Sequence, residues 1–519
     1  MNDLADQYDS DEQLLSADVA QHGTEGPSVM HYLLGAVVGA LVMMGVYVAY
    51  PAIHHWAFFP LALNAIILFP VLFTWLIGKR DTFDPLGLAC LQLVQFGVVS
   101  ALLCLGTGIY GPLLIQPDAK DLLGQVAVIY LLTLVPFFLG YKIRLGESLG
   151  QRIFSKPKVV SFERLRLAIV IMIICSILAR VYAVVRYGGV LGTTFERTQS
   201  FGTGKGVLLM IADTLCTALV LWFAYGIAVM RERGQLTSVV RTRILTKALV
   251  VVALIVLIVG LRGSRSIIVI YVLWVGGIYH FLVKRIKAVT VLAVFICFLP
   301  LLHGYAMYKS YGLKAIGAIF SAEERARFEK PQGPGLLGTV IGDLGRMNVW
   351  MYVKQEIDSG RYPLQFGRTY FAAALGVIPR AIWPTRPYGM SEVITDMRTG
   401  RGAYAAAFEK TSMVAGLIGE SYANFDIFGP FLGMFFYGVI LRALKTLMDR
   451  RSEDRLIAFL LPMIVYFVLA AFPADSDGVV YSVLKFLGPA VLAVWFSGVK
   501  TGAGQYGGEQ IYSYSELGV

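Results

Sequence analysis

Apolar positions in this chain gather into long runs separated by short polar turns, and strict alternation is rare. The runs approach the roughly 20 residues an α-helix needs to cross a bilayer. Twelve such segments can be placed: 31–52, 57–77, 86–106, 122–141, 165–185, 206–230, 248–261, 266–283, 288–302, 425–447, 456–472 and 479–499. A spanning segment must satisfy its own backbone polar groups, so each is expected as a helix. The pattern predicts an all-α polytopic membrane protein with about 12 transmembrane helices and one large extracytoplasmic loop containing short helices.

The turns give the orientation. "GKRD", "KIRLGESLGQRIFSKPK", "RERGQLTSVVRTR", "KRIK" and "RALKTLMDRRSEDR" are rich in Lys and Arg, and threading twelve spans puts all five on one side. By the positive-inside rule that side is cytoplasmic, with both termini there. The expected organisation is an acidic cytoplasmic arm (1–27), a bundle of about nine spans (28–302), an extracytoplasmic loop with interfacial helices (303–411), a second bundle of about three spans (412–500) and a cytoplasmic tail (501–519). Within the loop, Ser321 and Glu324 have capping-box spacing. The stretches "GLLGTVIGDLGRMNVWMYVKQ" and "RTYFAAALGVI" are amphipathic enough to lie on the membrane surface or pack on the bundle.

Composition sharpens this picture. Of 519 residues 57% are hydrophobic and only 15% charged, and mean hydropathy is +0.66. That excludes an ordinary soluble domain, where about 25% of residues are charged. The net charge of +11 is uneven: residues 1–27 carry seven acids and no Lys or Arg, which leaves +18 on the remainder. The arm lacks the basic and apolar regions of a signal peptide and reads as disordered. All five cysteines fall in apolar runs, with neither metal nor disulfide spacing.

The candidate chemistry lies on the outward side. Residues 303–410 hold nine arginines among fourteen basic residues, against nine acids. A guanidinium offers a planar fork that matches phosphate oxygens two at a time. In "GVIPRAIWPTRPYG" the prolines Pro379, Pro384 and Pro387 restrict the backbone around Arg380 and Arg386. These arginines could equally bind lipid headgroups or pair with local acids. Arg262 and Arg265, in the tight turn "LRGSRS", sit at the lipid–water boundary, as a diphosphate clamp or as snorkelling headgroup contacts. Arg346 and Arg398 join them by their place in the loop.

Arg180 and Asp213 each lie five to seven residues inside the end of their span, roughly 8–10 Å deep. They are expected chiefly as a structural ion pair, with substrate contact second. Lys485 lies at similar depth, with no partner that the sequence names. Glu420 and Asn424 are four apart and share a helical face. Glu420 is either a general base or a salt-bridge partner, with His303, Glu392, Asp396 and Glu409 as rival titratable groups. No P-loop, zinc-spaced cluster or GxSxG elbow occurs.

Three patches carry a family resemblance: "LRGSRSIIVIYVL", "VIPRAIWPTRP" and "TSMVAGLIGESYANFDIFGPFLGMFFYGV". In that order, with a long outer loop between spans, the region from Ala248 to Arg451 resembles the Wzy-type polymerases of O-antigen and exopolysaccharide repeat units. The first 240 residues match only in hydropathy and span count, and the acidic arm is not a family feature.

The resemblance implies a glycosyltransferase of the bacterial inner membrane that polymerises undecaprenyl-diphosphate-linked oligosaccharide repeat units. Undecaprenyl diphosphate would be the leaving group. It implies no metal or other cofactor and no nucleic acid, and membrane lipid, a flippase and a chain-length co-polymerase as partners. It casts Arg380, Arg386, Arg262 and Arg265 as the diphosphate clamp and Glu420 as base or orienting group, while Arg346 and Arg398 are weaker additions that rest on their place in the loop alone. An O-antigen ligase would use the same leaving group and another acceptor. A lipid-linked oligosaccharide flippase would instead line its whole bundle with charge.

Overall fold

The computed structural model describes residues 26–110, 118–153, 159–187, 205–260, 265–297, 345–376, 382–400, 413–451 and 455–499, with Ser321, Glu323, Ile341 and Ile378 standing alone. The described chain is helical throughout, apart from a two-residue antiparallel pairing of Val159–Val160 (β1) with Gly498–Val499 (β2). The first four long helices are Val29–Ala49 (α1), Phe58–Leu76 (α2), Pro85–Thr107 (α3) and Ala119–Lys142 (α4). They are followed by Arg144–Ile153 (α5), Phe162–Tyr187 (α6), Lys205–Glu232 (α7), Ser238–Gly260 (α8) and Arg265–Leu282 (α9). Ala288–Cys297 (α10) is shorter. Met347–Asp358 (α11), Arg368–Ala374 (α12) and Met390–Thr399 (α13) are short and partly polar. Gly416–Phe425 (α14), Phe428–Arg451 (α15) and Arg455–Ala470 (α16) lead to the last helix, Ser476–Ser497 (α17).

Among the described residues, eight helices are long and apolar enough to cross a membrane: α1–α4, α6, α7, α15 and α17, each taken over its apolar stretch. The protein is therefore a membrane protein. Three shorter apolar helices, Ile267–Leu282, Ala288–Cys297 and Ile457–Ala470, accompany them. The expected span starting at Phe425 is two elements. Asp426 has φ +53°, which breaks the run between α14 and α15, and α14 folds back against α15 as a separate helix. An apolar run cannot reveal such a reversal, because both helices are apolar. The acidic arm through Glu25, about half of 303–411 and the tail 501–519 lie outside the described residues.

Among the described residues, two large apolar cores share one seam, beside a small third cluster of Leu72, Trp75 and Ala288. The first gathers α1–α4 with α11, α13, α14 and α15, and includes Leu61, Leu93, Tyr130, Trp350 and Phe472. The second gathers α6–α9 and α17 around Leu221, Tyr271, Trp274 and Phe486. α16 serves both: Ile457, Leu461 and Val465 face the first core, while Phe459, Met463 and Phe467 face the second. Burial of this kind contributes about 25 cal/mol per Å² of apolar surface removed from water, and inside a bilayer close packing takes over that role.

α4 and α15 pack most intimately. A Cβ on Gly140 would stand 2.1 Å from the Phe435 carbonyl oxygen, and one on Gly438 would stand 2.2 Å from that of Phe137. Only glycine lets these backbones approach so closely. Farther along, Arg80 meets Asp84 at 3.1 Å and Lys445 meets the same carboxylate at 3.4 Å. His280 lies 3.2 Å from Asp81, and Arg442 lies 3.3 Å from Glu147. Four of the turns singled out as basic, or the residues beside them, thus meet at one end of the bundle.

Candidate functional site

At the opposite end of α15, three helix N-termini converge on a group of carboxyl side chains. The turn after α16, "FPADSD", is the hub. Glu420 projects from α14 and is fully buried. Its Oε2 accepts the Ser476 backbone N–H at 2.7 Å. Its Oε1 accepts the Ser476 hydroxyl at 2.6 Å and the Thr369 hydroxyl at 2.7 Å. Ser476 is the first residue of α17, so Glu420 satisfies one of the orphan N–H groups that every helix start leaves open.

Asp475 returns the arrangement. Its Oδ1 accepts the backbone N–H of Gly416 at 2.9 Å, the first residue of α14. Gly416 has φ +66°, and a Cβ there would stand 2.7 Å from the Phe472 carbonyl oxygen, so the position needs glycine. The Leu417 N–H donates to that carbonyl at 2.9 Å. The third terminus, that of α13, docks on Asp477. The Ser391 hydroxyl donates to Asp477 Oδ2 at 3.1 Å, and the Glu392 carboxylate accepts the Gly389 N–H at 3.0 Å.

Burial dominates the electrostatics. It pushes the Glu420 carboxyl up to about 6, against the opposing effect of its Ser476 and Thr369 hydrogen bonds. Asp475 is pushed well above the ordinary aspartate range, first by burial and then by the neighbouring Glu420 and Asp477 charges. The Gly416 N–H and the Arg346 guanidinium oppose that rise. Asp475 Oδ2 is buried and accepts no hydrogen bond among the described residues. Two like-charged groups in one dry site disfavour joint ionisation, so the pair titrates as a unit.

Of the arginines singled out in the sequence, Arg346 reaches this hub. Its Nε donates to the Pro473 carbonyl at 2.9 Å and its Nη1 to that of Gly345 at 2.6 Å. Its guanidinium lies 5.5 Å from the Phe96 ring centre, within cation–π range. Phe96 belongs to a π-helical turn, Gln95–Val99, inside α3. Arg386 turns inward: its Nη1 donates to the carbonyls of Gly376 and Ile378 at 2.9 and 3.0 Å, closing its own loop. Arg398 is exposed on the last turn of α13. Arg262 and Arg380, together with His303, Glu324 and Glu409, lie outside the described residues, as does the side chain of Arg265.

Within the apolar helices, Arg180 of α6 and Asp213 of α7 approach to 3.5 Å. Arg180 also donates to the Ala212 carbonyl at 3.1 Å. Lys485 joins them at 2.8 Å from Asp213. It comes from a second π-helical turn, Val483–Leu487, in α17. The sequence could not name this partner, because α7 and α17 are more than two hundred residues apart.

The sequence reading missed Asp475, Ser476, Asp477 and Thr369. A signal was present: two aspartates directly before the last apolar run are costly at a membrane boundary unless engaged. Among the described residues, no group of three His, Cys, Asp or Glu side chains is arranged to hold a metal ion. Compared with protein-family models, curated proteins and solved structures, the chain matches none.

Proposed function

We propose that this protein joins lipid-diphosphate-linked oligosaccharide repeat units into a polysaccharide at the outer face of a bacterial cytoplasmic membrane. The observation that carries the reading is the clasp on one turn: Glu420 holds Ser476 while Arg346 holds Pro473. A near-neutral buried acid and a guanidinium thus meet at the same end of the bundle. En bloc glycosyl transfer needs both kinds of group, a carboxyl matched to proton transfer and preorganised cations for a departing diphosphate. The resemblance of the three patches to Wzy-type polymerases supports the same reading.

In the proposed reaction the acceptor sugar hydroxyl attacks the anomeric carbon of the donor. The bond from that carbon to the diphosphate oxygen breaks, and its electron pair leaves with undecaprenyl diphosphate. Arg380, Arg386, Arg262 and Arg265, with Arg346 and Arg398 behind them, are the proposed clamp for the charge that develops. The acceptor proton passes to the carboxyl site at Glu420. Through the three hydrogen bonds it accepts, Glu420 also orients the Ser476 turn in this reading.

The proposed topology has twelve spans, which adds Ser238–Gly260 and the three shorter apolar helices to the eight long ones. The meeting of Arg80, Asp81, Lys445 and Arg442 with their partners at one end supports a common, cytoplasmic side for those turns. Both termini are then cytoplasmic, and 303–411 faces outward.

The test is purified protein with undecaprenyl-diphosphate-linked repeat units, without nucleotide or added metal, scored on a glycan gel. A ladder of lengths supports polymerisation. Transfer only onto a lipid A core acceptor would reassign the protein as a ligase, and no transfer to either acceptor would remove the enzymatic reading.

A further inference from the structure

Phe366 is an anomaly twice over. It is 74% exposed, and its φ of +46° is one that bulky side chains avoid. Three hydrogen bonds hold it there: Gln365 N–H to the Ala423 carbonyl at 2.9 Å, Phe366 N–H to the Asn424 carbonyl at 3.0 Å, and Gly367 N–H to Asn424 Oδ1 at 2.8 Å. The surrounding structure imposes the strain, and the result is a phenyl ring held outward.

Five residues on, Phe371 is 54% exposed, on the face of α12 opposite its buried Thr369, Ala372 and Ala373. Between them Arg368 is exposed. Tyr370 stacks on Phe425, ring centres 6.4 Å apart, which places this segment at the junction of α14 and α15. From that junction Phe428, Leu432, Phe436 and Ile440 run down α15 at four-residue intervals, all exposed. They form one apolar stripe on a helix long enough to cross a membrane. α12 also packs against the first turns of α17, a second such helix. It therefore lies beside the start of α17 and the α14–α15 junction, where two helices of spanning length begin.

We infer that the Phe366–Phe371 segment inserts into the bilayer, with phospholipid acyl chains covering both phenyl rings and Arg368 reaching the headgroups. The occupant follows from continuity: the stripe on α15 faces hydrocarbon, and the two rings extend it past the helix end. Aromatic rings and a snorkelling cation are the side chains suited to that layer. The segment is wired to the buried acid. Asn424 Nδ2 donates to the Thr369 hydroxyl oxygen at 2.7 Å, and that hydroxyl donates to Glu420. Bilayer engagement thus fixes the turn that positions Glu420. The inference requires only that α15 and α17 cross the membrane, and it stands apart from any reaction.

The test uses the full chain in nanodiscs of phosphatidylethanolamine and phosphatidylglycerol, with p-benzoylphenylalanine replacing Phe366, Phe371 or Phe436 in turn. Irradiation should give phospholipid adducts by mass spectrometry at positions 366 and 371, within about threefold of the yield at 436. Adducts at 436 with none at 366 or 371 would overturn the inference, as would crosslinks from 366 to protein alone. A second measurement guards against a misfolded variant: Phe371→Trp in nanodiscs with brominated acyl chains. Its added fluorescence should be quenched at least twofold relative to unbrominated lipid; an unquenched signal would count against insertion.

Discussion

Glu420 and Asp475 cap each other's helices: Glu420 on α14 accepts the first N–H of α17, and Asp475 before α17 accepts the first N–H of α14. Each carboxyl sits where a helix N-terminus carries partial positive charge. α14 belongs to the first core and α17 reaches into the second, so this reciprocal pair is a polar tie between the two halves. The tie holds two acids close together in a dry place, and its stability depends on their protons.

The pH dependence follows from the direction of the shifts. Both carboxyls titrate higher folded than unfolded, so the folded state binds more protons. Their contribution is complete below the unfolded values, near 4 to 4.5, and is lost as pH rises through about 6 and beyond. Thermal unfolding in detergent should therefore show stability falling from pH 4.5 to 6. Glu420→Gln should flatten that slope, and an unchanged slope would place the proton elsewhere.

Asp475→Asn keeps an acceptor for Gly416 and drops the ionisable oxygen, whereas Asp475→Ala removes the cap. Loss of such a cap costs about 1 kcal/mol, with a range of roughly 0.5–2. The expected order of melting temperature at pH 7 is Asn at or above wild type and Ala clearly below. Faster amide exchange at Gly416 and Leu417 in the Ala variant would localise the effect.

Asp213 is approached by two cations, Arg180 and Lys485. Asp213→Asn leaves both charges among apolar helices without the carboxylate, a loss on the order of 3 kcal/mol. Lys485→Met leaves Asp213 with Arg180 and should cost less. Melting temperatures of the two variants, compared in one detergent, test that order.

Arg386 closes the loop that bears Arg380, through Gly376 and Ile378. Arg386→Ala should abolish polymer at normal protein level, and Arg386→Lys should restore only part, because an ammonium cannot reproduce the fork. Arg380→Ala should match the loss without loosening the loop. Limited proteolysis between 376 and 389 separates the two: enhanced cleavage is expected for the Arg386 variant alone.

What the sequence determined by itself is what depends on local composition. A run of about twenty apolar residues has one low-energy form in a bilayer. The helical class and the positions of most apolar helices were therefore legible, although α8 begins at Ser238 and not near Ala248. Glu420 and Asn424 sharing a face was legible too, because helical spacing is a short-range rule.

Tertiary structure decided everything that joins distant segments. Lys485 reaches Asp213 only because α17 packs beside α7, and Asp475 became part of the site only because α14 turns back at Asp426. The inward turn of Arg386 was hidden as well. Prolines restrict a backbone, but which carbonyls face a guanidinium depends on how the loop closes. Hydrophobicity acts without direction and so writes itself along the chain. Hydrogen bonds and ion pairs depend on angle and distance, and those exist only once the helices are packed.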